Sequence, residues 1–223
     1  GSSGGREEGS STTEASTVEE GPTTSTGSTL GGDGGEDGFA TTALVAFGAS
    51  RCDATPELAR ADAHWAGRAA GQIDAKAQPE PIGAAVAGYR EAVAAAPESL
   101  EARWKLQRAL WFAGDFATPD PEKSRALHEE AIDAAEAAYA VLARRVGGVD
   151  ALASATPESL AAALSPADRS DAAHLYFWSA VNLGAWSRLA GLLRAVRAGV
   201  ANRLHEATLR SIALDPDVEQ GGA

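Results

Sequence analysis

Prolines standing one or two positions ahead of an acid punctuate this 223-residue chain, and five of them limit the fold more than any other feature. They are Pro56-Glu57, Pro97-Glu98, Pro121-Glu122, Pro157-Glu158 and, with one residue between, Pro166-Ala167-Asp168. Proline suits the first position of an α-helix, where its missing N–H would be unpaired anyway, and an acid in the first turn meets the positive end of the helix dipole. Thr55, Asp120, Thr156 and Ser165 precede four of these prolines as N-cap candidates. Ser165 and Asp168 resemble a capping box with Asp in the place of Glu or Gln. The spacing predicts helices over 56–72, 81–95, 99–113, 121–146, 166–183, 185–197 and 199–214, with a short one over 157–164. Gly71, Gly114, Gly147-Gly148, Gly184 and Gly199 fall at the predicted breaks. No alternating run of β-branched residues reads as a strand. The expected fold is all-α, an array of helical hairpins with short connections.

Composition divides the chain in two. Residues 1–39 hold 25 Gly, Ser or Thr, eight acids and one Arg, a formal charge of −7 out of −12 for the whole chain. Val18, Leu30 and Phe39 are their only large apolar residues, too few to offset backbone entropy of about 1–2 kcal/mol per residue. A disordered tether over 1–40 and a helical domain over 41–223 follow. The acidic balance, without a Lys/Arg cluster, argues against nucleic acid as a partner. The apolar run from Thr41 to Gly48 is far too short to span a bilayer. A single Cys52 can form neither an intrachain disulfide nor a multi-cysteine zinc site, and the chain has no Met.

A repeat is embedded in the helices. Ala85, Tyr89, Ala92 and Pro97 recur at steps of four, three and five, and Leu106, Ala109, Leu110, Gly114, Asp115 and Phe116 follow in order. This is the tetratricopeptide pattern of small and aromatic residues on one helix, a Pro stop, and a next helix closing in Gly-Asp-aromatic. Gly184 and Trp186 stand in the places of Gly114 and Phe116 within HLYFWSAVNLGAW (174–186), and Thr208 and Ser211 stand in those of Tyr89 and Ala92 within TLRSIALDP (208–216). The stretch Gly147–Ser165 and the helix over 185–197 are insertions.

The runs YREAVAAAPESLEARWKLQRALWFAGD, EEAIDAAEAA (129–138), HLYFWSAVNLGAW and LRSIALDPDVEQGGA, in this order, resemble the T-component lipoproteins of tripartite ATP-independent periplasmic (TRAP) transporters. The resemblance covers residues 55–223. It implies a periplasmic homo-oligomer of tetratricopeptide-like hairpins that docks an extracytoplasmic solute-binding protein and passes a small hydrophobic or carboxylate ligand. It implies attachment to the membrane only through a lipidated Cys just before Gly1, and a native chain that continues past Ala223. On the residues alone, a cytoplasmic tetratricopeptide scaffold binding a peptide partner stands as the alternative.

No catalytic constellation emerges. His64, His128, His174 and His205 stand in no metal-ligand spacing, and the strings His128-Glu129-Glu130 and His205-Glu206 read as polar helix faces. There is no nucleophile elbow and no phosphate loop in the helical part, so no enzyme activity, metal or cofactor is expected. A binding groove is expected instead. Trp104, Arg108 and Trp111 share one face of the helix over 99–113, and His174, Trp178 and Asn182 share one face of the helix over 166–183. Such a pair of faces suits an apolar body with a carboxylate end. Trp65, Tyr89, Phe112, Phe116 and Trp186 read as core.

Overall fold

The predicted caps close the helices they precede. Side-chain oxygens of Thr55, Asp120, Thr156 and Ser165 accept from the backbone N–H of Leu58, Glu122, Ser159 and Asp168 at 3.0–3.3 Å. Each satisfies one of the donors that a helix start leaves unpaired. Pro97 differs: it lies in a turn, and Ser99 caps the following helix by accepting from Ala102 N–H at 3.1 Å.

The structure, a computed structural model, describes residues 55–220, so the tether over 1–40 and Cys52 lie outside the described residues. The helices are α1 (Pro56–Ala66), α2 (Pro79–Ala95), α3 (Leu100–Phe112), α4 (Pro121–Arg145), α5 (Val149–Ser154), α6 (Pro157–Ala163), α7 (Pro166–Ala190), α8 (Leu192–Arg197) and α9 (Val200–Leu214). A turn of π-helix (Ala113–Ala117) extends α3, and a 3₁₀ turn (Val218–Gln220) follows α9. No strand forms among the described residues; Ile73 and Lys76 make an isolated bridge. The architecture is an all-α array of hairpins. α1 packs on α2, α3 on α4 and α7 on α9, and α3 and α4 both pack on α7 to join neighbouring pairs. α5, α6 and α8 are short helices of six, seven and six residues between the longer ones.

Alanine makes the contacts close. Ala61, Ala85, Ala92, Ala109, Ala131 and Ala172 have no exposed surface, and Tyr89 and Leu110, also fully buried, fill the space beside them. The apolar residues form two clusters. One joins α1, α2 and the middle of α3; the other joins the ends of α3 and α4 with α5, α6, α7 and α9.

A buried polar seam links α3, α4 and α7. His128 has no exposed surface, its Nδ1 lying 3.0 Å from Asn182 Oδ1 and its Nε2 3.1 Å from Asp115 Oδ1. Asn182 donates through Nδ2 to the carbonyls of Gln107 and Trp178, and Ser179 Oγ donates to Gln107 Oε1 at 3.0 Å. The reading of His128 as part of a polar outer face is therefore corrected. It sits at the centre of the array, because its two neighbouring elements supply oxygen partners that a buried imidazole needs.

The two glycines at the predicted helix endings also change meaning. Gly114 sits inside the π-turn, where a Cβ would come within 2.8 Å of His128 Nε2, so glycine is required by close approach and not by a reversal. Gly184 does not break a helix at all: α7 runs through it to Ala190, and the chain turns at Gly191, whose φ is +84°. A Cβ on Gly184 would meet open space. The same substitution should therefore act in opposite directions. Gly114→Ala should destabilise by about 1–3 kcal/mol through overpacking against His128. Gly184→Ala should stabilise by about 0.5–1 kcal/mol, through helix propensity alone. Urea unfolding of the two variants measures both.

Candidate functional site

Five of the six residues expected to line a groove meet on one side of the array, joined by residues of α1. Trp104 stacks on His174 across α3 and α7 with ring centroids 4.5 Å apart, and Trp111 meets Trp178 at 5.2 Å. The Arg108 guanidinium lies 4.9 Å from the Trp104 ring centre and 4.1 Å from that of Trp65. Arg68, just past α1, lies 4.2 Å from the same Trp65 ring. Phe112 closes edge-on to Trp65 at 5.8 Å. The result is a ladder across α1, α3 and α7 in the order Arg68, Trp65, Arg108, Trp104, His174.

Asn182 is not part of it. It is fully buried in the seam between α3, α4 and α7, since a step of four residues on a long helix drifts toward the neighbouring hairpin. Trp178 is largely buried, and its indole N–H donates to Glu219 Oε1 at 3.0 Å. Trp65, Phe112 and Phe116, expected in the core, are half-buried at its edge, whereas Tyr89 is fully buried as expected. Trp186 belongs to neither apolar cluster; it is half-buried and donates to Glu129 at 3.1 Å.

The electrostatics of the ladder are unusual for an acidic chain. Among the described residues, neither Arg68 nor Arg108 has a carboxylate within ion-pair distance, and the Nε of each is buried without a partner. Four acids border this side: Asp62 and Glu101 both bind Lys105 Nζ, at 2.7 and 2.6 Å, Asp171 accepts from Trp104, and Glu219 lies 3.9 Å from His174 Nε2. Tyr89 also donates to Asp62, at 2.7 Å. Burial, and next the Arg108 charge, push the Arg68 guanidinium below its ordinary value. Beside His174, burial pushes the Asp171 carboxyl above its ordinary range, against the hydrogen bond it accepts from Trp104 Nε1 at 3.0 Å. Flat rings with unpaired guanidinium donors can hold a planar anion by bidentate hydrogen bonding and stacking. Arg68 and Trp65 were missed as site residues because α1 contributes one aromatic near its end, with no second at helical spacing to mark a face.

A cavity of about 240 Å³ lies away from the ladder, between α4, α5, α7 and α9, lined by Ile132, Tyr139, Leu152, Tyr176, Leu183 and Ala207 among others. Its ionic groups are paired within the chain: Arg203 with Glu136 at 2.6 Å and Arg210 with Glu206 at 2.9 Å. Arg210 also donates to the Tyr176 hydroxyl at 2.9 Å. Each arginine of this cavity is thus matched to a glutamate, unlike those of the ladder. No group of three or more His, Cys, Asp or Glu is placed to hold a metal among the described residues.

Two outcomes follow. Arg108→Ala removes ring stacking but no ion pair, so it should cost only about 1 kcal/mol of stability in denaturant unfolding. Asp115 behaves differently: the hydrogen bond from His128 holds its carboxyl below the ordinary 3.8. A depressed folded-state pKa contributes stability above the unfolded value and loses it as pH falls through the folded one. Asp115→Asn should therefore be less stable than the parent at pH 7, with the gap closing below about pH 4 in a pH series of urea midpoints.

No family model matches the chain, and neither the curated proteins nor the solved structures contain a match.

Proposed function

We propose that this protein is a non-catalytic binding and assembly component, tetratricopeptide-like and of the TRAP T-component kind, tethered by a lipid anchor in the periplasm. Its partner there is a solute-binding protein, and the face across α1, α3 and α7 takes a carboxylate carried on an apolar body. The observation that carries the reading is the pair of guanidiniums on Trp65, Arg68 and Arg108, which no acid of the described residues neutralises. An ordinary solvated cation needs no explanation. Two half-buried ones crowded onto a single indole raise each other's energy, and an anion bridging them removes that penalty. Aromatic neighbours Trp104, Phe112 and His174 supply the apolar contact that gives such an anion a specific orientation. The order of repeat motifs between residues 55 and 223 supports the family part of the reading.

Binding of 4-phenylbutyrate and of its neutral counterpart 4-phenylbutanol, followed by isothermal calorimetry and indole fluorescence, tests the site. The carboxylate should bind the parent and weaken about 10- to 100-fold in Arg68→Ala and Arg108→Ala, the scale of a lost charged hydrogen bond. The alcohol should respond to neither substitution. Equal binding of acid and alcohol, or an acid affinity indifferent to both arginines, would contradict the assignment. Membrane fractionation of the native protein tests the anchor: release by proteolytic trimming within residues 1–39 is expected, and recovery in the soluble fraction without trimming counts against it.

A further inference from the structure

Between Asp171 and Glu206 the chain contains no acid, although its net charge is −12. That stretch carries Arg188, Arg194, Arg197 and Arg203, a local reversal of sign that the overall balance hides. It also carries the most exposed large aliphatic side chains on α8. Leu192 is 81% exposed, Val196 67% and Leu193 64%, with Leu189 at 39% beside them. Gly191, at φ +84°, turns the chain at the end of α7 and sends α8 outward. On the six residues of α8, Leu192, Val196 and Leu193 fall on one side of the helix, and Arg197 and then Arg194 follow round it beyond Leu193. Both arginines are exposed, and neither has a carboxylate partner among the described residues.

We infer that α8 is a docking wedge for an anionic lipid surface, with Leu192, Leu193 and Val196 entering the acyl boundary while Arg194 and Arg197 meet the phosphates. Charge complementarity selects this occupant over a second copy. A two-fold contact would set the same arginines against each other, whereas lipid phosphates match them. Aliphatic wedges rimmed by arginine are the composition that binds at the headgroup boundary, the hydrocarbon supplying affinity and the cations preference for anionic lipid. Repulsion from the rest of the acidic chain is screened beyond about 8 Å at physiological ionic strength, so contact-range arginines decide the sign. This surface is separate from the ladder around Trp65 and stands whether or not that ladder binds a carboxylate.

Co-sedimentation of the full chain with vesicles tests it. Vesicles of phosphatidylcholine alone are compared with equal parts phosphatidylcholine and phosphatidylglycerol. Binding to the mixed vesicles is expected, with a loss of about fivefold for each of Arg194→Ser and Arg197→Ser. Leu192→Asp with Leu193→Asp should reduce it by about tenfold or more. All four positions are exposed, so these variants should keep the parent's helical circular dichroism, and Arg108→Ala should bind vesicles as the parent does. Equal binding to both vesicle types, or binding indifferent to the Leu and Arg substitutions, would overturn the inference. So would a concentration-dependent dimer in analytical ultracentrifugation that the Leu substitutions abolish in a protein that ignores vesicles.

Discussion

Everything in this array depends on how closely α3, α4 and α7 approach one another. Ala109, Ala131, Ala138, Ala172 and Ala185 have no exposed surface, and small side chains allow helix backbones to come near enough for side chains of neighbouring hairpins to bond directly. Between the two apolar clusters that result, Gln107, His128, Ser179 and Asn182 are buried together and satisfy most of one another's polar groups. Such a seam tolerates few registers, since a slip of α7 along α3 would strand buried donors and acceptors at about 1–3 kcal/mol each. Gly114 completes it by making room for the His128 ring.

The site is a consequence of that packing. Alanines occupy the faces where helices meet; Trp104 and Trp178 are buried beside them, while Trp65, Trp111 and Phe112 lie half-buried at the margin, where aromatic rings meet one another and arginine. Lys105 then settles the charge pattern. By binding both Asp62 and Glu101 it consumes two acids that flank this side of α3, and Arg108 is left with rings for neighbours. On the opposite side, the cavity between α4 and α9 has each of its arginines matched to a glutamate. Two regions of one small domain thus differ in whether their arginines have carboxylate partners among the described residues.

Helix starts were legible in the sequence because their physics is local: Pro, a preceding hydroxyl or carboxylate, and an acid in the first turn act within four residues. The pairing of Trp104 with His174 was also foreshadowed, by each residue's place on its own helix face. What was hidden depends on distant neighbours. His128 resembled a surface residue between Leu127 and Glu129 because nothing nearby in sequence announces Asn182 and Asp115. Gly184 resembled Gly114 by motif position, yet only one of the two has a side chain pressed against it. Asn182 followed Trp178 at the right spacing but rotated into the seam. Arg68 fell inside the helix predicted to run to residue 72, so its approach to Trp65 required the actual end of α1 at Ala66.

The central claim is that Arg68 and Arg108 are held together on Trp65 with no carboxylate counter-ion among the described residues. The coupling energy between Arg68→Gln and Arg108→Gln, from a double-mutant cycle of unfolding free energies in the ligand-free protein, measures it most directly. The account predicts an unfavourable coupling that shrinks as salt is added, the mark of two like charges confined at short range. A favourable coupling, or none at low ionic strength, would mean that the two guanidiniums are already neutralised and that this face has no demand for an anion.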